Sequence, residues 1–224
     1  MSPTRPVIFI GPSLRAGDSP AALGMMDVRP PIRRGDIDVL SPDVRTVAIV
    51  DGVFFSEDSV SAREILSALR RGVHILGSSS MGALRAAELA PYGMEGIGEV
   101  YRMYADGEIT SDGEVALTFN PETGLATSEP LVNVRNMLRL AINYGVIDVD
   151  SANSLLQVAR QIYFVDLSYE MVIRRAREIV PCEILERISS FIKEHRIASD
   201  LKRSDALQTI ARLEEIASSG EFHV

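Results

Sequence analysis

The chain has no tryptophan, a single cysteine (Cys182) and three histidines (His74, His195 and His223) among its 224 residues. Each shortage excludes something. One cysteine allows no disulfide within the chain and no thiolate metal cluster, and three scattered histidines do not make a histidine-rich metal site. Lys and Arg number 23 against 31 Asp and Glu, for a net charge of −8. The broad basic face that sequence-independent nucleic-acid binding relies on is therefore missing; the loop Arg29-Pro-Pro-Ile-Arg-Arg34 is a local exception. No apolar run reaches membrane-spanning length, and the opening Met-Ser-Pro-Thr-Arg-Pro lacks the apolar core of a secretory signal. The expectation is a cytoplasmic protein with no membrane or nucleic-acid partner and no metal or cofactor.

Hydrophobic residues make up 46% of the chain, enough to bury a core in one large domain or two small ones. Val7-Ile-Phe-Ile10, Val47-Ala-Ile-Val50 and residues 73–76 are short, apolar, β-branched runs ended by turn residues, as buried parallel strands should be. Residues 14–24 read as a short helix or loop, and residues 29–35, rich in Pro and Arg, as a loop. Ser61-x-x-Glu64 is a capping box. It opens a helix with Ala62, Ile65, Leu66 and Leu69 on one face, which Gly72 ends. Strand and helix thus alternate with short connections, which predicts an α/β fold: a Rossmann-like parallel sheet with right-handed crossovers. The later spacing predicts a short helix over 98–105, loop over 106–130 with an edge strand near 115–119, and a helix over 130–144. Beyond that only helical periodicity is found, with Asp166 and Ser168 as candidate caps and Cys182 read as a small buried residue. The expected organisation is an α/β core domain over 1–145 followed by an all-helical C-terminal region over 146–224.

The most informative stretch is Gly77-Ser-Ser-Ser-Met-Gly-Ala-Leu-Arg-Ala-Ala-Glu-Leu89, where an apolar strand runs through a serine cluster directly into a helix. Hydroxyls and backbone amides meet there at a helix N-terminus, the usual place for binding an anion or stabilising a developing negative charge. Ser78 or Ser79 is expected to cap that helix. Ser13, Asp51 and residues 78–80 all follow strand ends, which in a doubly wound sheet lie along one edge; Ser13 and Asp51 also read as ordinary turn residues. Gly77-x-x-x-x-Gly82 has phosphate-loop spacing, but Ala83-Leu84 stands where a Lys-Ser/Thr pair would meet phosphate charge, which disfavours an NTPase. Ser78-x-Ser80-x-Gly82 approaches the nucleophile-elbow pattern, with serine for the first glycine. No histidine follows in a later loop of this domain to complete a triad, and His74 reads as a packed strand residue. Arg85, with Glu88 at i+3, reads either as half of a surface ion pair or as an anion clamp beside the serines.

Together with Ile8-Phe-Ile-Gly-Pro-Ser13, Ile49-Val-Asp-Gly52 and Arg63-Glu-Ile-Leu66, the serine motif resembles the TfuA-like proteins. Tyr92-Gly-Met-x-Gly-x-Gly98, Asp106-Gly-Glu108, Asp112-x-Glu114-Val-Ala116 and Val132-Asn-Val-Arg135 extend the resemblance over 6–145, and Lys202-Arg-x-Asp205-Ala206 is similar to the family's C-terminal pattern. The resemblance implies partnership with a YcaO protein, which uses ATP to activate backbone amides, in installing a thioamide in a ribosomally made peptide or protein. It implies sulfur supply: hydrolysis of the thiocarboxylate of a ThiS-like sulfur-carrier protein would release sulfide beside YcaO, which itself holds the precursor peptide. Ser80, Ser79 and Asp51 are the expected catalytic residues. Ser78, Met81, Gly82, Arg85, Ser13 and Gly11 are the expected anion- or substrate-binding residues. The alternative is a non-catalytic recruiting or allosteric activator of YcaO. A nucleotide binder ranks last, because Gly11-Pro12-Ser13 lacks the G-x-G-x-x-G spacing. The oligomeric state stays open, a homo-oligomer included. The catalytic expectation requires Asp51 and the serine bend to meet, and the bend not to be sealed beneath packed side chains.

Overall fold

The computed structural model describes residues 5–14, 17–18, 20–54 and 57–219. The opening residues 1–4, where no secretory signal is expected, and residues 15, 16 and 19 of the expected short helix or loop lie outside them. Five strands form one parallel sheet: β1 (Val7–Phe9), β2 (Asp27–Arg29), β3 (Thr46–Ile49), β4 (His74–Ser78) and β5 (Glu95–Ile97), in the order β2-β1-β3-β4-β5. The helices are α1 (Ala62–Arg70), α2 (Met81–Leu89), α3 (Gly98–Ala105), α4 (Leu131–Asn143), α5 (Val149–Arg160), α6 (Tyr169–Ala176), α7 (Cys182–His195) and α8 (Leu201–Ser219). The fold is α/β, with helices alone in the later part of the chain. Among the described residues no helix is long and apolar enough to cross a membrane.

Side chains alternate across each strand, and the sheet buries both faces. Val7, Phe9, Val47, Ile49 and Ile75 join Ile65 and Ala68 of α1 and Ala86 and Leu89 of α2. Ile8, Ala48, Val50 and Leu76 join Ala206, Ile210, Leu213 and Ile216 of α8. Double coverage explains why the central strands are apolar without interruption. The described residues form two compact units, one running to Asp112 and resumed at Lys202, the other spanning 113–201. The second unit packs α4 to α7 around its own core, which includes Met137, Leu155, Val172 and Ile188.

Local signals behave as their chemistry dictates. Ser61 and Glu64 close both bonds of the capping box on α1, and Ser168, not Asp166, caps α6 by accepting from the Met171 N–H. Four expectations are corrected. Residues 27–29, at the mouth of the expected Pro/Arg loop, form β2, and Ile32 bridges to Gly52. The expected edge strand near 115–119 reduces to a single Phe119–Ala126 bridge; Asn120 Oδ1 instead accepts the Glu122 and Thr123 amides and turns the chain. Cys182 is exposed, because it starts α7 off the buried stripe of Leu185, Ile188, Phe191 and Ile192. His74 opens β4 half-exposed, its Nε2 2.7 Å from Glu95 Oε2, rather than packed.

Candidate active site

The strand-to-helix turn after β4 is tight for an identifiable reason. A Cβ on Gly82 would lie 1.7 Å from the Ile49 carbonyl oxygen, and one on Gly77 2.3 Å from the Gly82 oxygen. Only glycines let the start of α2 press against β3 and β4 so closely. Ser79 stands at the apex with φ +62°, alone among the described non-glycine residues in having a positive φ. Such strain in a serine persists where surrounding structure over-determines it, often at functional sites.

The surrounding structure is a hydrogen-bonded cluster at the carboxyl ends of the strands. Asp51, following β3, accepts from the Gly11 N–H (2.8 Å), the Ser13 N–H (3.0 Å) and the Ser13 hydroxyl (2.6 Å). Ser13 Oγ lies 2.7 Å from Ser79 Oγ. From α8, Lys202 Nζ donates to Ser80 Oγ at 3.1 Å and stands 4.0 Å from Asp51 Oδ1. Thr209 Oγ1, also on α8, lies 2.6 Å from Ser78 Oγ. Two hydroxyls, a carboxylate, an ammonium and a third hydroxyl thus run Ser79–Ser13–Asp51–Lys202–Ser80. None of the five residues is more than 3% exposed. Among the described residues no buried side-chain polar atom lacks a hydrogen-bond partner. The buried charges of Asp51 and Lys202 therefore offset one another, and either alone would be costly.

The structure brings together Ser13, Asp51, Ser79 and Ser80, and places Ser78 beside them against Thr209. Gly11 joins them through its N–H, which donates to Asp51. The remaining expected site residues are engaged elsewhere: the Gly82 N–H donates to the Val50 carbonyl at 3.4 Å. The buried Met81 sulfur takes the Ser59 hydroxyl at 3.8 Å. The Arg85 guanidinium donates to the Val60 carbonyl, to Glu88 and to Ser59 Oγ. Capping of α2 by Ser78 or Ser79 is corrected: Ser80 occupies the N-cap and makes no side-chain cap bond, its hydroxyl being Lys202's partner. The bend meets Asp51, as the catalytic expectation requires, but Ser78, Ser79 and Ser80 are buried, so the second requirement is not met as the chain stands and attack by Ser80 requires the cluster to open.

Lys202 is the member of the cluster that has no place among the expected site residues; its signal in the sequence is the motif Lys202-Arg-x-Asp205-Ala206, in which it is one of only two lysines of the chain. A guanidinium stays protonated, whereas a lysine can give and take a proton. As it stands the Lys202 ammonium donates to Ser80 Oγ; an amine in that place accepts the serine proton only after giving one of its own away. Among the described residues no group of three or more His, Cys, Asp or Glu is placed to share a metal ion. A family model described as TfuA-like protein matches residues 51–168. No curated protein matches the chain.

Proposed function

The chain belongs to the TfuA-like family, and we propose that it serves a YcaO protein in ATP-dependent backbone thioamidation of a ribosomally made peptide or protein, supplying sulfide by hydrolysing the thiocarboxylate of a ThiS-like carrier. One observation supports this chemistry above the others: Lys202 Nζ donates to Ser80 Oγ at 3.1 Å with Asp51 as its counter-charge. In the proposed reaction Ser80 Oγ attacks the thiocarboxylate carbon. A C–O bond forms and the C–S bond breaks. Lys202 hands a proton to the departing sulfur and takes the one from Ser80, so that sulfur leaves as HS⁻. Ser79 donates its hydroxyl proton to Ser13 Oγ, which donates in turn to Asp51, and this chain holds the bend beside Ser80 in place. Water then cleaves the acyl-serine, yielding the carboxylate and restoring the hydroxyl.

Burial of every hydroxyl in the cluster favours a second reading, a non-catalytic activator of YcaO in which the cluster only fixes the fold. The two part on one experiment. Purified protein is given a thiocarboxylated carrier and sulfide is measured, with Ser80→Ala as control. Hydrolysis predicts turnover that Ser80→Ala lowers by about a thousandfold, while YcaO fed with free sulfide still works beside the variant. Carrier-dependent thioamidation undiminished by Ser80→Ala would establish the activator instead.

A further inference from the structure

Lys202, Asp205 and Thr209 fall at i, i+3 and i+7 on α8, one polar stripe on the side of the helix that faces the sheet. All three are buried, Asp205 and Thr209 completely. Thr209 reaches Ser78 and Lys202 reaches Ser80; Asp205, between them, reaches neither serine. Its carboxylate sits at the start of α3, where Oδ1 accepts the Glu99 N–H at 2.9 Å and Oδ2 the Val100 N–H at 2.8 Å. The N-cap residue of α3 is Ile97, which has no side chain able to accept these amides. Asp205 supplies the missing cap from another helix. The backbone is shaped around it: Gly98 has φ +90°, and a Cβ there would lie 2.1 Å from Asp205 Cγ.

We propose that Asp205 is a positioning residue for the serine–lysine pair: by capping α3 from α8, it sets the height and rotation at which Lys202 meets Ser80 and Asp51. This rests on reading that pair as the reactive centre. Helix geometry makes the demand strict. A slip of one residue moves α8 by about 1.5 Å along its axis and about 100° around it, which takes Nζ out of reach of Ser80. Apolar packing tolerates small slides, because it is non-directional; two amides converging on one carboxylate do not.

The test uses the full chain labelled with 13C at the lysine ε-carbons. There are two signals to follow, Lys202 and the exposed Lys193, which serves as the internal reference. In Asp205→Asn the Lys202 signal is expected to move to the chemical-shift position of Lys193, and acylation of its amine by a water-soluble reagent to rise about tenfold. Sulfide release should fall through kcat with KM unchanged. Leu213→Ala weakens the apolar packing of the same helix without touching the polar stripe, and should lower Tm while leaving the Lys202 signal in place. If Asp205→Asn does not fold, Asp205→Ser, shorter but still able to accept one amide, is read in the same way. An unmoved Lys202 signal in a folded Asp205 variant, or an equal shift in Leu213→Ala, overturns the proposal. Absence of sulfide release from the wild type would remove the hydrolase reading alone, since the lysine signals decide the positioning role independently.

Discussion

At the level of single residues the cluster is held by charge as much as by hydrogen bonds. Asp51 and Lys202 are each 2% exposed. Removing one leaves the other as an uncompensated buried ion, at a cost of about 3 to 5 kcal/mol. Lys202→Met should therefore lower the urea-unfolding free energy by about 3 kcal/mol. Adding Asp51→Asn should recover part of that loss, since partners in contact are not additive. A double variant as unstable as the sum of the singles would show that the two charges do not interact. Gly82→Ala should be worse than either, because the added carbon meets backbone at 1.7 Å rather than a side chain that can turn away. It should cost about 3 kcal/mol or more, or abolish folding. The meeting of Ser13, Asp51 and Ser79 was legible in the sequence, since each follows a strand and parallel strands end along one edge. Lys202 appeared only within the C-terminal motif and not at the site, because it lies 122 positions from Ser80 on a helix whose apolar spacing does not say what its buried side covers.

Among the elements, those with strong local chemistry were readable and those defined by neighbours were not. The capping box fixes the start of α1, and helical spacing fixes α3 and α4. β2 and β5 are three-residue strands at the two edges of the sheet, too short for a period of two to show. Nor do the residues of α8 reveal what it covers, since an apolar stripe indicates burial but not the partner. The contact of α8 with α3 carries a pH dependence. Burial pushes the Asp205 carboxyl from an ordinary 3.8 up to about 6, against the pull of the Val100 and Glu99 amides and of Arg102 and with some addition from the Glu99 carboxylate. A carboxyl raised on folding contributes stability that is full below its unfolded pKa and is lost as pH rises through the folded one. Lowering the pH from 7 to 5 should thus stabilise the wild type relative to Asp205→Asn by about 1 kcal/mol. Urea midpoints of both proteins at the two pH values give the difference. An equal change in both would place the titration elsewhere.

For the molecule as a whole, the order of the chain and the order of its cores differ. The unit that contains the sheet is built from the beginning of the chain and from its last helix, whereas the unit over 113–201 is continuous. Ending the chain at residue 200 would remove Ile210, Leu213 and Ile216, which cover Ile8, Ala48, Val50 and Leu76. At about 1.5 to 3 kcal/mol for each buried aliphatic side chain, the loss is about 5 to 9 kcal/mol, comparable with the entire stability of an ordinary domain. Lys202 would go as well, leaving Asp51 without its counter-charge. The core of the continuous unit, from Val134 to Ile192, contains none of these residues. The truncated chain should therefore keep the helical circular dichroism and amide protection of 113–200 while the amides of Ile8, Ala48 and Leu76 exchange freely. Hydrogen exchange read by mass spectrometry separates the two segments. Full protection of the strands after truncation would mean that the sheet is held without α8, and the cluster's lysine would then be an accessory to the fold rather than part of what closes it.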